Sequence, residues 1–270
     1  MRSTNLRRWL LAAALLGPAA PLAAQIDYRN LDDDRPVVTE DAYPADFRAF
    51  EFLLPYAFER ARGGGDLHAL IPEIEYGILR NVEIGVKLPL AASVSGGADE
   101  WGVSGGRIFA LYNLNTEGLR LPALSARADL LLPIGSLGGR SSRVGLKAIA
   151  TRSWGRMRFH VNAAWTFGSD PRPAAVETGP RWSYSLAADR TLFRQSTLLI
   201  GEVVALRPIP GAPVQVNAGV GLRYQWTPTN VIDAGLRRRI RDGTGPDLAA
   251  TLGFSHAFAF PGLMPRGAGR

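Results

Sequence analysis

Residues 82–90, VEIGVKLPL, place Val82, Ile84, Val86, Leu88 and Leu90 on one face and Glu83, Gly85, Lys87 and Pro89 on the other. A two-residue period of this kind describes a strand lying between an apolar and a polar medium. The same beat returns along the chain from Phe47 to Phe258. FRAFEFLLPYAFE turns Phe50, Phe52, Leu54, Tyr56 and Phe58 one way and Glu51, Ala57 and Glu59 the other. RMRFHVNAAWTF opposes Met157, Phe159, Val161, Ala163, Trp165 and Phe167 to Arg158, His160, Asn162 and Thr166. Twelve such segments can be counted. The ninth, STLLIGEVVALR, is the least regular, because Leu198 and Ile200 share a side with Glu202.

An even number of strands joined by alternating short links (ILRN, TPTN, SWG) and longer Gly/Pro-rich ones predicts an all-β, antiparallel up-and-down barrel spanning a membrane. Closure satisfies the backbone groups that lipid cannot. A soluble β-barrel would bury its apolar face inside, yet here the opposite faces carry Glu, Arg, Lys, Asn and Gly. Tyr56, Phe58, Tyr76, Trp101, Trp165, Phe167, Trp182 and Trp226 fall near strand ends, as interfacial girdles require. An arginine at the outward Val86 or Val161 is expected to harm insertion, and one at the inward Gly85 or Asn162 to be milder.

The organisation read from the pattern has four parts. Residues 1–24 carry a basic start (Arg2, Arg7, Arg8), a short apolar core from Trp9 and a small-residue end, the pattern of a cleaved signal peptide. Residues 25–46, polar, acidic and punctuated by proline, are expected to form a periplasmic lead-in without regular structure, with Asp32, Asp33 and Asp34 as a solvated charge run. The barrel follows over 47–258, and 259–270 extend beyond it. Export and a Gram-negative outer-membrane location follow from the signal and the strand pattern together, with membrane lipids and the outer-membrane assembly machinery as the implied partners.

Composition agrees with this picture and narrows the chemistry. The chain of 270 residues holds 30 glycines, 19 prolines and no cysteine. Without cysteine there are neither disulfides nor thiolate chemistry. The formal charge of +7 falls to +4 once the three signal arginines are gone, which gives no footing for nucleic acid as a partner. His68, His160 and His256 lie far apart in sequence, so neither a metal nor a cofactor is expected. His160 and Asn162 share a face and raise the thought of a lipid-modifying barrel enzyme. They point to the lumen with no serine motif beside them, and hydrogen bonding within the barrel is the expectation. No catalytic residue is assigned.

The inward faces predict a lumen dense in both signs of charge: Glu51, Glu83, Lys87, Arg127, Asp129, Arg158, His160, Asn162, Glu202, Arg223 and Asp233 line it. Such groups either set the selectivity of a pathway or pair into a network that closes a narrow barrel.

Several segments resemble one family, the outer-membrane barrels catalogued as "MetA-pathway of phenol degradation". Asp34-Arg35-Pro36 followed by FRAFEF with its inward Glu51 resembles the family's opening. IEYGILRNVEIGVKLP is similar to its tyrosine-glycine turn and glutamate strand, and LPALSARADLLLPIG, with Pro133 and Gly135, to its middle strand. FHVNAAWTF, IGEVVA, WTPTNVIDAG and LGFSHAF resemble its later strands. The likeness covers nearly the whole mature chain. It departs at Val203 and Val204, where the family has leucine and tyrosine, and in the twelve residues after Phe258. The resemblance implies a channel or transporter for small molecules, with hydrophobic aromatic compounds as the inherited cargo. A closed, salt-bridged structural or docking barrel is the alternative. If the cargo is aromatic, loops 168–180 and 207–213 and Trp101, read as lying in the loop before the fourth strand, are the expected apolar contacts.

Overall fold

The protein, described from a computed structural model over residues 25–61, 64–95, 98–168, 180–192, 196–241 and 245–263, is a closed antiparallel barrel. Twelve strands make the wall, four of them interrupted: β1 (Phe50–Leu53 and Tyr56–Ala61), β2 (Asp66–Leu70 and Glu73–Leu79), β3 (Val82–Lys87 and Leu90–Ser95) and β4 (Ala98–Val103 and Gly106–Asn115). Eight continuous strands follow: β5 (Ala123–Leu132), β6 (Arg143–Trp154), β7 (Met157–Phe167), β8 (Trp182–Thr191), β9 (Thr197–Arg207), β10 (Gln215–Thr227), β11 (Asn230–Arg241) and β12 (Pro246–Phe258). Each pairs with its sequence neighbours, and β12 returns to β1 with Phe50 opposite Phe258 and Tyr56 opposite Leu252. Stacked Phe50, Tyr76 and Phe258, with Phe260 set edge-on, cover that seam.

The interruptions have a local cause. Pro55, Pro72 and Pro89 stand seventeen residues apart, and proline has no N–H to give to a ladder. They fall side by side on adjacent strands. Ile71 N–H donates to Pro55 O (2.9 Å), Leu88 N–H to Pro72 O (3.0 Å) and Ser104 N–H to Pro89 O (2.9 Å), so the sheet bends along this line without opening. Beyond the bend β3 and β4 run further than the glycine-rich segment 93–102 suggests. Trp101 consequently lies on the upper part of β4 and not in a loop.

The exterior is the apolar face read from the sequence. Ile84, Val86, Ile108, Leu130, Leu146, Val161, Leu186, Val203, Val220 and Leu236 are all exposed and mid-strand. Water would leave this belt uncovered, whereas lipid matches it. Two-residue links close one end, at Arg80-Asn81, Gly155-Arg156 and Pro228-Thr229. No helix among the described residues is long and apolar enough to cross a membrane, which bears only on helices. The signal segment, residues 169–179 of the loop 168–180, and residues 264–270 lie outside the described residues.

The largest departure from the sequence reading concerns residues 25–46. The segment does lack regular strands, but it is not outside the barrel, and most of it is shielded from water, with Gln25, Arg29, Asp34 and Asp46 exposed. It runs through the lumen, where Ile26, Arg35, Thr39 and Ala42 have no exposed surface. Asp33 can be buried because the wall supplies cations opposite it, while Asp34 keeps its exposure. Apolar sockets seat it as well. Ile26 packs with Ala49, Val231 and Ala257, while Leu31 and Val37 pack with Ala187, Leu198 and Ile200. Ala42 packs with Leu111, Ala123 and Ile149. The irregularity of β9 is thereby explained: Leu198 and Ile200 point inward because they hold this plug, and the alternation of the strand is intact, with Leu199 and Val203 outward. Close approach also explains an inward glycine, since a methyl group at Gly235 would fall on the Pro36 carbonyl. Inward arginines are therefore expected to be costly to the plug at the two positions named above. Gly85 faces the ring of Phe109, and Asn162 is hydrogen-bonded to the plug.

Candidate functional site

Strand alternation aims one set of side chains from every strand into the lumen, and the plug meets them with complementary groups. Four neighbouring strands each contribute a cation: Lys87 (β3), Arg107 (β4), Arg127 (β5) and Lys147 (β6). Lys87 lies directly opposite Arg107, and Arg127 opposite Lys147. Like charges in that relation repel, and carboxylates of the plug answer them. Asp33 lies 2.6 Å from Arg107 Nη1, 2.5 Å from Lys147 Nζ, 3.6 Å from Lys87 Nζ and 3.7 Å from Arg127 Nη2. Glu40 lies 2.8 Å from Arg127 Nη1 and 2.7 Å from Lys147 Nζ. Burial by itself would raise the Asp33 carboxyl, but Lys147, Lys87, Arg127 and Arg107 together hold it well below the usual carboxylate range.

The opposite wall is acidic and receives the plug's own cation. Arg35 Nη1 donates to Asp233 (2.9 Å) and to the Ser255 hydroxyl (2.7 Å). Arg223 reaches Asp32 at 3.2 Å and also donates to the Asn30 carbonyl. Glu51 is buried on this side, cross-strand from Glu75.

Between the two walls, side-chain hydrogen bonds fix the backbone of the plug. One carboxylate, Glu202, accepts from Val38 N–H (2.9 Å), Thr39 N–H (3.1 Å) and the Thr39 hydroxyl (3.0 Å). Asn162 clamps the backbone of one residue, with its Oδ1 accepting from Glu40 N–H and its Nδ2 donating to Glu40 O, each at 2.8 Å. Glu83 accepts from Ala45 N–H at 2.6 Å.

His160 lies behind this layer. Its Nε2 is 2.7 Å from Asp189 and its Nδ1 is 3.0 Å from the Thr151 hydroxyl, which accepts from Ala42 N–H at 3.0 Å. Arg158 grips the same Asp189 (2.8 Å) and reaches Asp41 (3.4 Å). The chain Thr151–His160–Asp189 is occupied on the hydroxyl side by Ala42 N–H of the plug, while Arg158 beside it holds Asp41. Asp129 in turn accepts from Arg127 Nε and Nη2, whose guanidinium lies 3.7 Å above the ring of Phe109.

The sequence therefore placed these groups on the lumen side but could not pair them. Arg107 and Thr151 were not singled out. Both lie on the inward beat of their strands, Arg107 with Phe109 and Leu111, and Thr151 with Lys147 and Ile149, so alternation alone would have found them. Asp33, Glu40 and Arg35 carried no such signal.

Among the described residues, a chamber lies on each side of the plug. One, about 1000 Å³, opens at the end of the short links and is lined by Tyr28, Arg29, Arg158 and Gln225. The other, about 390 Å³, lies at the end of the long loops over Asp33, Lys147 and Asn162, with Ile209 of the 207–213 loop on its rim. Trp101, 81% exposed, borders neither chamber. It faces outward over an apolar groove of about 370 Å³ with Tyr56, His68, Leu70, Leu90 and Val103.

No protein-family model matches the chain, and no curated protein does. Solved structures do. The COG4313 outer membrane channel from Pseudomonas putida F1 superimposes with a TM-score of 0.61 at 16% identity, over 85% of this chain and 100% of that one. The fold is that of outer-membrane barrels. The KdgM porin (TM-score 0.55, 12% identity, 77% of this chain and 99% of that one) and the NanC porin (0.51, 7%, 77% and 98%) share it.

Proposed function

We propose that this protein is an outer-membrane channel for small molecules whose closed state is the plugged lumen described above. The observation that carries the reading is a charged lumen, open to a chamber at each end and blocked between them by a segment that belongs to no strand. A wall built only for rigidity has no need of two water-accessible chambers, and a segment held by side chains can leave without breaking the barrel ladder. Planar-bilayer recording tests this: brief openings of the full chain, lengthened when Glu202→Gln weakens the grip on Val38 and Thr39, are expected. A barrel that stays silent with every plug contact weakened would be the closed, structural alternative. The finer assignment, to the "MetA-pathway of phenol degradation" barrels with aromatic cargo, rests on the segment resemblance and on the outward apolar groove at Trp101.

The plug should respond to pH. Burial pushes the Asp41 carboxyl up to about 6, against Arg158 and His160 on β7 and the Tyr43 N–H, with Asp32 adding to the rise. A raised carboxyl favours the plugged state below its ordinary value near 3.8, and that contribution is lost as pH rises through about 6. Asp33 is depressed, so its contribution is present above 3.8 and disappears only in stronger acid. Openings are therefore expected to be rarer at pH 4.5 than at pH 7.5, with the difference reduced in Asp41→Asn. Equal open times at the two pH values would contradict this account.

A further inference from the structure

We propose that Lys87, Arg107, Arg127 and Lys147 form a binding site for small organic dianions, and that the Asp33 and Glu40 carboxylates occupy it as an internal stand-in for such a ligand. This names a class of solute for the channel and depends on that reading for its meaning in transport, though not for its test. Four cations on four consecutive strands, paired like against like across the ladder, are an unfavourable wall unless an anion is supplied. The wall's own carboxylates nearby are Asp129, 3.0 Å from Arg127, and Glu73, 3.2 Å from Lys87. Asp33 and Glu40 bring two further carboxylates to the same cations.

The manner of binding is that of a ligand. Both plug carboxylates converge on one ammonium, Lys147 Nζ, at 2.5 and 2.7 Å, which is the compact spacing of a single dicarboxylate molecule. Arg107 and Arg127 each take an outer oxygen, at 2.6 and 2.8 Å. Arg127 is itself stacked on Phe109, which adds an apolar surface beside the charges. The chamber at the long-loop end borders Asp33, Arg107 and Lys147 directly, so a solute within it reaches this cluster. A dianion that satisfies the cations would compete with Asp33 and Glu40, which couples solute binding to release of the plug.

The test is chemical rescue in detergent, using the full chain. Asp33→Asn/Glu40→Gln should unfold several degrees below the parent, and millimolar phthalate should restore most of the loss while shifting the parent little, since its site is filled. Putrescine, or sodium chloride at matched ionic strength, should not do so. Adding Arg127→Gln should abolish the rescue. If the double variant is not recovered folded, Glu40→Gln alone is read in the same way. Phthalate acting equally on parent and variant, or on neither, overturns the proposal, as does equal rescue by chloride. The readout is binding: silence in bilayers would sink the channel and leave a positive rescue standing, whereas conductance without rescue would sink the anion site alone.

Discussion

A chain in which residues 25–46 are deleted, with the export signal joined to Phe47, is expected to insert as a twelve-stranded barrel and to conduct continuously. The wall is closed by backbone pairing from β1 to β12 that the segment does not share. Its removal returns Lys87, Arg107, Arg127 and Lys147 to water, whose high dielectric constant weakens their mutual repulsion. The apolar inward residues Leu111, Ile149, Leu198 and Ile200 lose their cover, a cost to stability that leaves the lipid-facing belt untouched. If the plug of the full chain is withdrawn ~0.1–10% of the time, as minor states are, deletion raises the mean current roughly ten- to a thousandfold. The check is bilayer current from preparations that migrate as folded barrels on gels. Folded, plug-free protein without current would end the channel reading.

The second large effect concerns the outer face. Arginine at Val161, 50% exposed at the middle of β7, is expected to destabilise the inserted barrel by about 2–4 kcal/mol. The guanidinium there meets hydrocarbon with no partner, and Val86 on β3 should respond alike. The neighbouring inward position behaves differently. Asn162→Ala removes both hydrogen bonds to Glu40 and leaves a buried N–H and C=O unsatisfied, about 1–3 kcal/mol for each group. That loss falls on the plug, so it should show as longer openings more than as poorer insertion. Urea titration in lipid vesicles reads the first effect and bilayer recording the second. Similar unfolding midpoints for Val161→Arg and Asn162→Ala would mean that the faces are wrongly assigned.

A buried pair contributes little net stability when intact, because desolvation offsets attraction, yet removing one partner strands the other. Lys147→Gln would strand Asp33 and Glu40 together, since both lean on the same ammonium. The variants informative about function are therefore those that remove the plug's carboxylates and leave the cations facing a chamber that an added anion can enter.

What the sequence determined is whatever depends on neighbours along the chain. A two-residue period fixes which side chains face lipid, so the twelve strands, the outward belt of Val86, Leu130, Val161 and Val220, and the inward charges could be read directly. Short links such as TPTN fixed one end of the barrel. Tertiary structure alone decided where residues 25–46 go and what the inward charges do. Glu40 meets Asn162 across 122 positions of chain, and Arg35 meets Asp233 across 198. Ion pairs and amide clamps at that separation leave no local period, because either partner looks like any polar residue in its own segment. An acidic, proline-punctuated stretch reads as solvated until the wall that neutralises it is closed around it. The same reason hid the meaning of Leu198 and Ile200, whose inward direction is wrong for an open lumen and right for one that holds Leu31 and Val37.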